Sequence, residues 1–105
     1  MKQSKINEMV VHAYENCMAE YDALRQRGNT PRMERLYRCN AVMIICGEYV
    51  LLRSYNTIVA AYDVSTGAMY DFLRYAFGYT ATSAQHIAKF RNRFQPREFF
   101  RYCSD

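Results

Sequence analysis

Apolar residues recur at steps of three and four from Ile6 onward: Ile6, Met9, Val10, Ala13, Tyr14, Cys17, Tyr21 and Leu24. That is the spacing of one face of an amphipathic helix, and it predicts a helix over residues 5–27. Ser4 is placed to cap its start, Arg25 and Arg27 suit the negative end of the helix dipole, and Gly28 can adopt the left-handed conformation that stops it. Thr30 before Pro31 joins a capping residue to a favourable first helical residue, so "TPRMERLYR" predicts a short second helix.

The period changes at Ala41. The stretch "AVMIICGEYVLLRSYNTIVAAYD" is rich in β-branched and aromatic residues, and Gly47 with Glu48 divides two apolar runs where a hairpin turn would sit. "SYN" sets off a third run at 57–62, "DVSTG" marks the next turn, and 68–73 predicts a fourth strand folding back. Both parities of the second strand carry apolar residues, which predicts a central strand covered on both faces. Thr82 followed by Gln85 has the form of a capping box opening a last helix. Within it Ser83, Ile87, Phe90 and Phe94 form one stripe, and His86, Lys89, Arg93 and, past the stop at Pro96, Arg97 form another. Residues 97–102, with Phe99 and Phe100, are expected to pack back on the domain as a tail. The expectation is a single α+β domain over 1–105 in two layers. A long N-terminal helix packs through Met9, Val10, Ala13, Cys17 and Tyr21 on an antiparallel sheet of about four strands, with a C-terminal helix also packed on the sheet.

Composition agrees with a folded chain: 50% of residues are hydrophobic and 23% charged. Ten tyrosines and no tryptophan supply many amphipathic rings, a chemistry that interfaces favour. The net charge of +4 is patchy. Residues 25–38 hold five arginines against Glu34, and residues 86–101 hold Lys89, Arg91, Arg93, Arg97 and Arg101 against Glu98. This favours acidic partners, whether nucleic acid or an acidic protein surface, and disfavours a chain that imitates DNA. Candidate partner-binding residues are therefore His86, Lys89, Arg93 and Arg97, with Arg32, Arg35 and Arg38 in the other basic segment.

Catalytic equipment is sparse. Cys17, Cys39, Cys46 and Cys103 show no C-x-x-C spacing, so neither a zinc site nor a structural disulfide is expected, and no cofactor is implied. Two histidines are too few for most metal sites. For His86, with Tyr79, Thr82 and Ser83 nearby in sequence, hydrogen bonding at the helix start is the leading reading, ahead of a partner contact and of acid–base catalysis. Glu48, Asp63 and Asp71 are scattered, and Gly47, Gly67 and Gly78 mark turns rather than a phosphate loop. No leader-like segment opens the chain and no apolar run reaches the length of a membrane span, so a cytoplasmic protein is expected.

The segments "SYNTIVAAYDVSTGAMY" and "YTATSAQHIAKF" resemble a motif of small phage and mobile-element proteins. It combines a Ser-Tyr-x-Thr-x-Val-Ala strand, a Thr-Gly turn and a Tyr-x-x-Thr-Ser-x-His-Ile-x-x-Phe helix start. Ser54, Tyr55, Thr57, Val59, Ala60, Thr66, Gly67, Tyr79, Thr82, Ser83, His86, Ile87 and Phe90 carry the match, across about half the chain. The resemblance implies a setting in which small proteins bind and block host machinery, anti-CRISPR proteins among them. The functional expectation is a non-enzymatic inhibitor of a host defence complex, such as a CRISPR-associated nuclease. The alternative is a basic nucleic-acid-binding accessory or regulatory protein.

Overall fold

The computed structural model describes residues 2–28, 31–36 and 40–103. The cap expected at Thr30, the candidate partner residue Arg38 and the thiol of Cys39 lie outside the described residues. The long apolar period becomes α1 (Gln3–Gln26), with Val10, Ala13 and Cys17 buried on its inner face and Met9 and Tyr21 half-buried beside them. Ser4 falls inside the helix, whose N-cap is Lys2, without a side-chain cap. Gly28 follows the helix at φ +74°.

The sheet is wider than the sequence suggests. Its six strands run in chain order: β1 (Arg32–Arg35), β2 (Ala41–Cys46), β3 (Tyr49–Ser54), β4 (Thr57–Asp63), β5 (Ala68–Asp71) and β6 (Glu98–Arg101). The first five form an antiparallel meander. The expected helix at 30–38 is instead β1, which pairs Arg32 with Ile45 and Arg35 with Val42. Four residues make a poor helix alone, whereas the free edge of β2 offers partners to the backbone groups that face it. All four β1 residues are exposed, and their charges discourage another strand from adding to that edge.

The tail is also a strand. β6 runs parallel to β5, pairing Met69 with Phe99 and Asp71 with Arg101. A parallel neighbour requires a crossover, supplied here by α2 (Leu73–Ala76) and α3 (Ala81–Phe94). The fourth strand ends at Asp71 rather than residue 73 because the Asp71 carboxylate turns the chain. Its Oδ1 accepts from Leu73 N at 3.1 Å, and its Oδ2 accepts from Arg101 Nε at 2.8 Å. At the other end of the chain, Asn7 on α1 donates to Cys103 O and accepts from Cys103 N.

The arrangement has three layers rather than two. Ile44, Cys46 and Leu51 join Val10 and Cys17 under α1. Met43, Val50 and Leu52 join Ile87 and Phe90 under α3. β3 is accordingly central and covered on both faces, as its double apolar parity predicts.

One irregularity interrupts the sheet. The β3–β4 register shifts between Leu52, opposite Ala60, and Arg53, opposite Ile58. Val59 is the extra residue of a bulge. Consecutive Val59 and Ala60 both belong to the α3-side core, while Ile58 packs toward α1.

The β4–β5 turn depends on Gly67, at φ +79°, where an added Cβ would lie 2.9 Å from Arg97 Cδ. Gly67→Ala is expected to lower stability by about 1–2 kcal/mol through backbone strain, with Arg97 swinging aside. Denaturant unfolding of the variant checks this, and a midpoint equal to the parent's would contradict it.

Candidate functional site

The start of α3 differs in detail from the capping box read in the sequence. Thr80 has extended backbone (φ −133°, ψ 142°), and its hydroxyl accepts from Ser83 N at 3.2 Å. Thr80 is thus the N-cap, and Thr82 and Gln85 are exposed positions in the helix. Ser83, freed from capping, turns inward.

Its partners come from the sheet. Ser54 closes β3 on the α3 side, in phase with Val50 and Leu52. Ser54 Oγ shares hydrogen bonds with Ser83 Oγ at 2.8 Å and His86 Nδ1 at 2.7 Å. All three residues are buried, the serines only 2% and 5% exposed. In the Nε2–H tautomer Ser54 donates to His86 and accepts from Ser83, so the chain of bonds is internally satisfied. His86 therefore leaves the exposed stripe assigned to it and pins the helix to the sheet. Both hydroxyls are engaged within this network.

Burial lowers the His86 pKa from its ordinary 6.5, and Lys89 one turn further on adds to the effect. The unfolded chain then takes up this proton more readily than the folded one. The contribution to stability is intact above pH 6.5 and falls as pH drops through 6.5 toward the lowered native value. Urea unfolding from about pH 7.5 to 5 should show the parent losing more stability on acidification than His86→Gln. Equal pH slopes in the two proteins would refute this role.

Outside this buried knot opens a cavity of about 400 Å³, lined by Tyr55, Asn56, Thr57, Phe77, Thr80 and Thr82 with the two serines at its base. Tyr55 forms the β3–β4 turn at φ +56°. Its N–H donates to Asn40 O at 2.9 Å, and its ring centroid lies 5.8 Å from that of His86. The α2–α3 connection carries Phe77 at 61% and Tyr79 at 58% exposure, and Tyr55 is 54% exposed. Arg74 sits over the Tyr79 ring at 4.7 Å. The two halves of the sequence motif, the strand with Ser54, Tyr55 and Thr57 and the helix start with Thr82, Ser83 and His86, meet around this one opening.

The basic residues divide. Lys89 is exposed on α3. Arg93 is paired with Glu34 of β1 at 3.6 Å, which brings α3 and β1 together; strand alternation places Arg32 on that same side. Arg35, opposite Val42, faces the α1 side instead. Arg97 lies past the helix, its side chain against Gly67. Of the expected stripe His86, Lys89, Arg93 and Arg97, only Lys89 and Arg93 share an exposed face, joined there by Arg32 and interrupted by Glu34, while Arg35 and Arg97 lie elsewhere. Sequence reasoning missed Phe77, whose only signal is a large apolar residue beside a glycine at an element boundary. It also missed Arg53, a lone cation inside an apolar strand.

Among the described residues no cluster of three or more His, Cys, Asp or Glu side chains could hold a metal ion. Cys17, Cys46 and Cys103 are free thiols. Burial, reinforced by Cys46, Asp63 and Glu20, pushes the Cys17 thiol up to about 12, so it behaves as a small hydrophobe. No described helix is long and apolar enough to cross a membrane. No family model, curated protein or solved structure matches the chain.

Proposed function

We propose that this chain is a small non-enzymatic binding protein of the phage and mobile-element kind, which acts by docking on a host defence complex and blocking it. The observation that carries the reading is the convergence of both motif halves on one opening lined by exposed Tyr55 and Phe77, with exposed Tyr79 in the adjoining α2–α3 connection. Rigid aromatic side chains around a pocket are the anchors that protein interfaces favour. The hydroxyls and imidazole beneath them satisfy one another, which fits a role in shaping that rim rather than in turning over a substrate. A host nucleoprotein complex suits the net positive charge, and a CRISPR-associated nuclease is the first target to try.

The test is protection in cells. A phage restricted by CRISPR-associated immunity is plated on immune hosts expressing either the parent chain or Phe77→Ser/Tyr79→Ser. The parent should restore plaquing, and the double variant should lose the effect while melting normally, because exposed substitutions usually change stability by less than about 0.5 kcal/mol. Plaquing that the parent fails to restore would overturn the reading.

A second reading, nucleic-acid binding, draws on the Lys89, Arg93 and Arg32 face. Phosphate contacts weaken steeply with salt, whereas a buried protein interface does so much less. If duplex or single-stranded DNA binds, Lys89→Glu/Arg93→Glu should abolish binding and leave the fold intact, since half-exposed charges contribute little to stability. Anisotropy titrations at two salt concentrations check it; salt-insensitive binding would exclude a phosphate interface.

A further inference from the structure

The α1-facing side of the sheet contains an arginine whose Nε packing leaves without a partner among the described residues. Arg53 lies opposite Val42 on one side and Ile58 on the other, and both neighbours pack into the core beneath α1. Its Nε is buried and has no hydrogen-bond partner among the described residues. Buried donors without acceptors are rare in native proteins, and an arginine fork is shaped to meet two oxygens of one anion.

Arg53 lines a cavity of about 440 Å³ together with Tyr21, Arg25, Met33, Asn56 and Ile58. Arg25 is held there with its guanidinium 5.4 Å from the centroid of the Tyr21 ring. Among the described residues no carboxylate lines this cavity. Asp22, the nearest acid in sequence to Arg25, borders a separate surface depression with it. Arg35 stands in the same cross-strand row as Val42 and Arg53, about 10 Å from Arg53 by the usual strand spacing.

We propose that this cavity is an oxyanion site that takes a phosphate group, gripped by Arg53 with Arg25 and the Asn56 amide completing the shell. Two lining cations and a third in the same row, with no described acid between them, suit a phosphate carrying nearly two charges better than a carboxylate carrying one. Because Arg25 already covers the Tyr21 ring, the site recognises the phosphate itself rather than an attached base. Inorganic phosphate and a phosphate monoester share that chemistry.

Thermal melts of the parent in sodium phosphate, AMP, sodium acetate and sodium chloride at matched ionic strength test the assignment. Phosphate or AMP should raise the melting temperature saturably while chloride and acetate do not. The Arg53 Nε–Hε resonance should move with the same midpoint. A response to phosphate alone identifies an ion-sized site, and a response to AMP alone identifies an ester. Arg53→Gln should abolish the effect, and Arg25→Gln should weaken the midpoint about tenfold, the worth of one charge-assisted hydrogen bond. Should Arg53→Gln fail to fold, the exposed Arg25→Gln still decides. Stabilisation by acetate or chloride equal to that by phosphate, or an Arg25→Gln midpoint equal to the parent's, would overturn the proposal.

Discussion

Cys17→Asp is expected to cost several kcal/mol, a large part of the roughly 5–15 kcal/mol that holds a typical domain together. Cys17 is 0% exposed and packs in the core between α1 and the sheet. Cys46, Asp63 and Glu20 already raise the pKa of its thiol. An aspartate there would be desolvated and surrounded by groups of its own sign. The sign of the pH dependence identifies the cause. Burial raises the folded-state pKa of the new carboxyl above its unfolded value, so the penalty should be full near neutral pH and shrink as pH falls toward about 4. Urea unfolding of Cys17→Asp and Cys17→Ala at several pH values separates this from simple loss of volume. If Cys17→Asp is as stable as Cys17→Ala at pH 7, α1 does not cover the sheet as described.

The other face has its own test in Phe90→Ala, expected to cost about 3–5 kcal/mol for a deleted buried ring. Phe90 is 0% exposed, and its ring meets Phe94 edge-on at 5.2 Å. The residue is absent from the walls of the aromatic-rimmed opening. Any loss of function should therefore follow the unfolded fraction and be recovered on cooling or with a stabilising solute, whereas Phe77→Ser/Tyr79→Ser should lose function while folded. Calorimetry of both variants beside the plating assay makes the distinction. A Phe90→Ala protein with an unchanged melting temperature would mean that α3 is not a core helix.

What could be read in the sequence depended on how local each signal was. α1 is long enough for its apolar period to repeat many times, and β2 to β4 are bounded by strong turn residues, so both were legible. The α+β class followed from them. β1 has four residues, and its fate depended on the vacant edge of β2. β6 depended on β5, a partner about thirty residues earlier and reached only through two helices. No pattern inside either segment records that pairing.

The site failed for a related reason. His86 could be grouped with the cations because helical geometry turns it about 60° to one side of Ser83, while Ile87 lies about 40° to the other. Its allegiance was decided by Ser54, 32 residues away. The motif halves were visible as text, but their meeting in space was a property of the fold.

The bulge at Val59 gives the hairpin one position at which its length can change without altering which way its tip residues face. By inserting one residue it reverses the phase of β4 at the hairpin end, which puts Thr57 on the rim of the aromatic cavity and Ile58 beside Arg53. Dropping that single codon would leave Ala60, Ile58 and Thr57 opposite Leu52, Arg53 and Ser54 in unbroken alternation, so both faces of the hairpin tip would keep their side chains and only the buried Val59 would be lost from the α3-side core. The exchange would come instead from straightening the bulge with Val59 retained, which would turn Thr57 to the α1 side and Ile58 to the aromatic rim. In an alignment, a one-residue gap at this position would mark a straightened strand that presents the same rim.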